Sequence, residues 1–404
     1  MEPPGDAVDH GRLFALTVNR VNLFEPEFWL DPYPVFARLR ADAPVQWHDD
    51  CDLWSVARHD DIMRISRDPA TFCSGKGVLP SDRERGAITG AESILFLDPP
   101  DHQRHRKLVS PAFTPRRIAA LEERVRELAR DLLEPLEKGE TVDFAPAVAE
   151  PLPMLVIAEM LGVPAKDRDS FKRWSDAMIE AATDPTENAY ALAAELWEYF
   201  ARVIEHRRSD PADDLISVLA HAAVDGELLT NAELNGFCMT LLVAGNETTR
   251  NLISGGVEAL ARCPDQLDRL VADRSLIPTA VEEMLRWVTP VMNFARTATA
   301  DVELGGQHIE QGQMVFMLYG SANRDPEAFG PSADTFDVGR QPNPHMAFGF
   351  GEHFCMGASL ARLEARVLFD ELLHRFSTIE LAGDPERLRS SLMRSLVHLP
   401  VAVG

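Results

Sequence analysis

The stretch LLTNAEL, residues 228 to 234, opens a helix that a surface position could not hold. Thr230 and Glu233 have the spacing of a capping box, and Leu229 can staple onto Leu234. The pattern that follows predicts a helix over residues 231 to 262, about nine turns long. Its apolar residues Leu241, Leu242, Val243, Leu252, Ile253, Val257 and Leu260 point to several sides. A helix that is apolar on several sides must be covered on several sides. It therefore runs through the middle of the molecule, and the rest of the chain has to be wrapped around it.

The remaining sequence is read mostly as helix. After Thr114, a candidate cap, and Pro115, the residues Ile118, Leu121, Val125, Leu128 and Leu132 form one apolar stripe. PMLVIAEMLG is apolar nearly all round and stops at Gly162. Leu192, Leu196, Phe200 and Val203 repeat the amphipathic pattern further on. Two regions read as strand: a hairpin in VQWHDDCDLWSVARH, and the stretch from Phe294 to Tyr319 with turns at Gly305-Gly306 and near Gly312. No linker, repeat or low-complexity tract divides the 404 residues. We expect one domain over 1–404, mainly α with a small β-rich lobe, whose residues 1–24 form an N-terminal extension poorly ordered at its start.

The net charge of −24 argues against nucleic acid or an anionic membrane as partner. The five cysteines are scattered and form no CxxC, which fits a reducing cytoplasm better than a disulfide framework. No signal peptide or run of about 18 apolar residues is visible, so no membrane anchor is expected.

Two stretches carry chemistry. AGNETT, residues 244 to 249, places poor helix formers midway along the central helix. Together they cost roughly 2 kcal/mol against alanine. A tight helix crossing at Gly245 and threonine hydroxyls bonded back to carbonyls would account for them. Space at Ala244 and Gly245, the Thr248 hydroxyl and the Glu247 carboxylate would also suit a small ligand and a proton route. The second stretch, AFGFGEHFCMG, surrounds Cys355 with glycine and phenylalanine just before a helix start. Unpaired N–H groups there favour thiolate over thiol. Gly349, Gly351 and Gly357 admit close backbone approach, while Phe348, Phe350 and Phe354 keep water away. An inert core cysteine and a catalytic nucleophile are the other readings. The residues around it look built to bury the sulfur, and a single thiolate in a greasy slot suits haem iron better than zinc.

FGFGEHFCMG followed by ASLAR resembles the cysteine-loop signature of the cytochrome P450 haem-thiolate monooxygenases. The order of the other motifs agrees: HQRHR at 102–106, AGNETT at 244–249, EMLR at 283–286, NRDPEAF at 323–329 and FDVGR at 336–340. The resemblance covers roughly residues 25 to 402 and is closest to the soluble bacterial members. It implies the fold of that family, with the long central helix over a buried haem b. It implies Cys355 as axial ligand to the iron, with Phe348, Gly349 and Gly357 beside it. His102, Arg106, Arg296 and His353 are the candidates to meet the haem carboxylates. Ala244 and Gly245 would make room for dioxygen, and Thr248 and Glu247 would handle protons. Glu283, Arg286 and Arg340 would form a structural network.

The same resemblance implies insertion of one oxygen atom of O2 into a hydrophobic molecule: a lipid, terpenoid, steroid or secondary-metabolite intermediate. Ile94, Leu95, Leu241, Ala244, Val291 and Met393 are the expected pocket residues. Electrons must come from outside, from a ferredoxin and its reductase. Arg104, Arg106, Lys107, Arg116 and Arg117 concentrate positive charge that suits such an acidic partner. A monomer is expected. A non-catalytic haem sensor or carrier is the rival, and it would not need Glu247 with Thr248.

Overall fold

The computed structural model describes residues 22–82, 93–183, 187–224 and 226–404. The N-terminal extension expected over 1–24 lies outside these as far as residue 21, as do residues 83–92 just before the expected pocket residues Ile94 and Leu95.

The central helix is Asn231–Arg262, and its capping box is formed in both directions. The Thr230 amide donates to Glu233 at 2.7 Å, and the Glu233 amide donates to the Thr230 hydroxyl at 3.1 Å. Its middle and C-terminal half are sheathed by other helices, as its apolar pattern demands: Pro151–Met160, Glu187–Ser209, Ile277–Val288 and Ala358–Arg375 all pack on it. Leu252, Ile253, Val257 and Leu260 are enclosed in one large cluster with residues of those helices. Two glycines let neighbours in close. A Cβ on Gly245 would stand 2.6 Å from the Ile157 side chain, and one on Gly256 would stand 2.9 Å from both Met284 and Phe369.

The β-rich lobe is a five-stranded sheet ordered Val45–His48, Leu53–Val56, Met314–Leu318, Asn293–Ala298 and Phe72–Cys73. The expected N-terminal hairpin forms, with Trp47 opposite Trp54. It then pairs in parallel with Met314–Leu318, so the second strand region of the sequence adds to the first. Val302–Leu304 and Gln307–Ile309 form their own hairpin around Gly305-Gly306.

One boundary differs from expectation. The helix predicted after Thr114 is two helices, Pro115–Ala120 and Glu122–Leu133, and the Thr114 side chain makes no capping bond. The continuous apolar stripe remains because both halves face the same core; Ile118, Val125 and Leu128 are buried.

Candidate functional site

Met356 and Gly357 separate Cys355 from the helix Ala358–Arg375. The cysteine loop is pressed onto the helix His59–Arg67: a Cβ on Gly351 would stand 2.0 Å from the Ser66 carbonyl oxygen, and Gly351 adopts φ +75°. Only glycine satisfies both conditions. Gly349 likewise has positive φ, and its amide donates to the Met346 carbonyl at 2.9 Å. The Cys355 amide donates to the Phe348 carbonyl at 3.0 Å, which closes the loop on itself.

The three phenylalanines of the loop are not placed alike. Cys355 is accessible, and Phe354 is 38% exposed. Phe350 lies beneath Arg67 at 4.8 Å. Yet desolvation raises the Cys355 thiol pKa, against the amides of Gly357 and Ala358 and the charges of Arg106 and Arg362, which pull it down. A thiol that is both reachable and desolvated lines a recess in the protein.

Around this recess the four basic candidates converge. The His102 and His353 rings stand 4.2 Å apart. Desolvation, then the Arg106 charge and others, lowers His102 to about 4. Desolvation, then Arg296, His102 and Arg106, lowers His353 to about 3. Arg296 is buried and its Nη1 donates to its neighbour's carbonyl, while Arg106 Nη2 donates to the Phe354 carbonyl at 2.8 Å. Neither arginine has a carboxylate within ion-pair reach among the described residues. The buried Nδ1 of His102 has no partner among the described residues. Glu352 stands 3.8 Å from His353 Nε2, but with neither arginine paired to an acid the group of two arginines and two suppressed imidazoles is short of negative charge. A ligand carrying carboxylates fits that deficit, and an accessible, desolvated thiol beside it fits a metal at the centre of the same ligand. Haem meets both requirements.

The other wall is the central helix. Leu241, Ala244 and Thr248 share one face, and Ala244 is exposed although it sits at mid-helix. Gly245 is turned elsewhere: its missing side chain admits Ile157, so it serves a helix crossing rather than a ligand. Thr248 donates to the Ala244 carbonyl at 2.7 Å. Glu247 is held from the side away from the open face. It is buried, and Arg250 reaches it at 3.1 Å. Adjacent helical residues diverge by about a hundred degrees, so neighbours in sequence need not share a face.

The pocket candidates partly assemble. Val291 and Met393 pair as an isolated β-bridge, and the Met292 amide donates to the Leu392 carbonyl at 2.8 Å. Ile94 and Leu241 pack on the main cluster, and Ser93 is tied to Thr240 of the central helix at 3.4 Å. Leu95 is half-buried beside them, at the end of a stretch whose residues 83–92 are outside the described ones.

The basic run of residues 104–117 is not one free surface. Arg104 is taken by Glu227 at 2.7 Å and Glu233 at 3.1 Å, and Arg106 turns inward. Lys107, Arg116 and Arg117 stay exposed.

Below the loop, Glu283 and Arg286 are fully buried and meet in a bidentate pair at 2.7 Å. Arg340 Nε reaches Glu283 at 3.1 Å, and the Asp337 amide and the Asn343 side chain add further donors. Arg286 and Arg340 spend their remaining donors on carbonyls of Asn323, Ala333, Thr335 and Ser332. The Asn323 side chain in turn accepts the Met346 amide at 2.7 Å, at the entry to the cysteine loop. Glu282, His345 and Arg362, which the sequence reading left out, form a second cluster at the same loop.

Comparisons with known proteins bear on the family and the fold. The family profile for cytochrome P450 matches residues 154–401. Cytochrome P450 109 from Bacillus spizizenii is 38% identical over 385 residues, 93% of this chain and 92% of that one. The chain belongs to the cytochrome P450 family. A methyl-branched lipid omega-hydroxylase from Mycobacterium bovis is 39% identical, the match covering 91% of this chain and 90% of that one. The crystal structure of CYP109E1 from Bacillus megaterium, in complex with testosterone, superposes with TM-score 0.85 at 36% identity, covering 92% of this chain and 99% of that one. The protein therefore has the cytochrome P450 fold and is an oxidoreductase of the monooxygenase type, with the haem-thiolate cofactor and use of O2 that the family implies. No helix among the described residues is long and apolar enough to cross a membrane.

Removing one partner of a buried charge pair costs about 3–5 kcal/mol. Glu283→Ala should therefore fall in urea midpoint and be recovered without haem, because Arg286 and Arg340 are stranded. A normal haem-to-protein ratio in the purified variant would refute the structural role given to this network.

Proposed function

We propose that this P450 inserts one oxygen atom of O2 into an apolar lipid-, terpenoid- or steroid-like molecule, with Cys355 as the iron ligand. The observation that carries it is the convergence of Arg106, Arg296, His102 and His353, with neither arginine paired to an acid among the described residues, beside an accessible thiol at a helix start. A haem held there supplies the activation of dioxygen that monooxygenation requires. The chain's own residues do the rest. Arg106 and Arg296 hold the carboxylate edge, and His102 and His353 donate N–H groups to it. Phe348, Gly349 and Gly357 shape the sulfur side. On the opposite side, Ala244 and Leu241 make the open helix face. Thr248 turns its hydroxyl from the Ala244 carbonyl toward the recess. Glu247 delivers a proton only by leaving Arg250, so Arg250 gates that route.

Substrate is placed against Leu241, Ala244, Val291 and Met393, with Ile94 and Leu95 at the mouth. These side chains offer no charge, which favours an apolar molecule. The lipid hydroxylase among the relatives and the testosterone bound by CYP109E1 support the same class. Electrons come from a ferredoxin served by its reductase, docking on the cysteine side through Lys107, Arg116 and Arg117. The protein works as a cytoplasmic monomer.

The spectrum of the reduced protein with carbon monoxide tests the ligand: a strongly red-shifted Soret band is expected, and its loss in Cys355→Ala. An unshifted band in the wild type would remove Cys355 from the iron. Thr248→Ala should keep consuming reductant while product falls and hydrogen peroxide becomes the main outcome; unchanged coupling would show that the hydroxyl is dispensable. Reduction by an acidic ferredoxin should slow steeply with added salt, and a triple variant with Lys107, Arg116 and Arg117 replaced by glutamine should flatten that slope. Salt-independent reduction of the wild type would exclude docking through these charges.

A further inference from the structure

Glu282, the neighbour of Glu283, leaves the helix Ile277–Val288 on another side and faces the cysteine loop. It takes Arg362 in a two-pronged pair, Nε to Oε1 and Nη2 to Oε2, each at 2.7 Å. Its Oε2 also meets Nε2 of the buried His345 side chain at 3.0 Å. His345 Nδ1 accepts the Ala347 amide at 3.2 Å, so the ring's proton sits on Nε2 and is donated to Glu282. Arg362 stands 4.5 Å from the centre of the Phe348 ring. Phe348 is the residue whose carbonyl receives the Cys355 amide. One carboxylate thus holds a cation and an imidazole against Ala347 and Phe348, the segment that carries the acceptor for the cysteine backbone.

The same cluster sets charge as well as position. Arg362 is one of the charges that favour thiolate at Cys355. Burial works to raise the Glu282 pKa, but the hydrogen bonds from Arg362 and His345 outweigh it and bring it to about 2. Glu282 is therefore an anion across the working range of pH, and it partly cancels the field of Arg362 at the sulfur.

We propose that Glu282 is a positioning residue for Cys355: through Arg362 and His345 it fixes the Ala347–Phe348 segment and sets the net charge at the sulfur, hence the reduction potential of the iron that the sulfur ligates. This rests on Cys355 being the ligand. Neutralising an anion near the iron favours the added electron, and neutralising a cation disfavours it.

The test is a spectroelectrochemical titration of the haem-loaded protein, with the reduced carbon monoxide spectrum recorded alongside. Glu282→Gln should move the potential upward and Arg362→Gln downward, and the double variant should return toward the wild type. Arg362→Gln should also show a larger share of the unshifted, thiol-type band than the wild type, because it removes a charge that favours thiolate. Equal potentials in all four proteins would overturn the proposal and leave the cluster a structural brace. If Glu282→Gln does not load haem, Arg362→Lys and Arg362→Gln carry the comparison: the lysine variant should stay near the wild type and the glutamine variant move down, and equal values for the two would overturn it. A wild type without the red-shifted band would instead refute the ligand assignment itself.

Discussion

A carboxylate with no access to water needs donors on all its oxygens, and Glu283 has them. Arg286, Arg340, the Asp337 amide and the Asn343 side chain all converge on its two oxygens. The arrangement matters because of where those donors come from. Arg286 lies on the same helix, but Asp337, Arg340 and Asn343 lie on the irregular stretch that leads into the cysteine loop. An irregular backbone has no ladder of its own to hold it. Here its carbonyls are taken one by one by the two guanidinium groups, whose fork geometry lets each serve several acceptors. The position of Cys355 depends on this, since Asn323 within the stretch fixes Met346 at the loop entrance.

Adjacent to it, Glu282 performs a related task on the other side of the helix, at a half-buried position and with a single arginine. One turn of helix thereby serves both the approach to the loop and the loop itself. The central helix forms the opposing wall. Its C-terminal half is enclosed on all sides, whereas Ala244 and Thr248 look into open space. The same helix is a core strut and a wall of the site, because its pattern changes character at AGNETT.

Much of this is legible in the chain alone. The capping box at Thr230 and Glu233 forms as its spacing implies, because capping is a local interaction complete within one turn. The two strand regions are visible as well, since alternation is local too. That they join in one sheet through Leu53–Val56 and Met314–Leu318 is not, because parallel pairing links residues far apart in the chain. The break between Pro115–Ala120 and Glu122–Leu133 leaves no trace in the apolar stripe, which continues across it. Spacing misleads at Gly245 and Glu247. It assigns both to the open face, while packing against Ile157 and pairing with Arg250 turn them away.

By itself the sequence determined the residue types of the site and the family, since FGFGEHFCMG, EMLR and AGNETT carry chemistry that few other arrangements need. Tertiary structure alone decided which charges remain free. Arg104 and Arg106 read alike in the chain, yet Glu227 and Glu233 neutralise the first while the second turns in toward Phe354 and the sulfur. It also decided that His102 and His353 meet, where burial lowers the pKa of both, and that Glu282 and not only Glu283 serves the loop. The physical reason is the range of the forces involved. Propensity and capping act over a turn, but the state of a charge depends on every group that folding brings within a few ångströms of it.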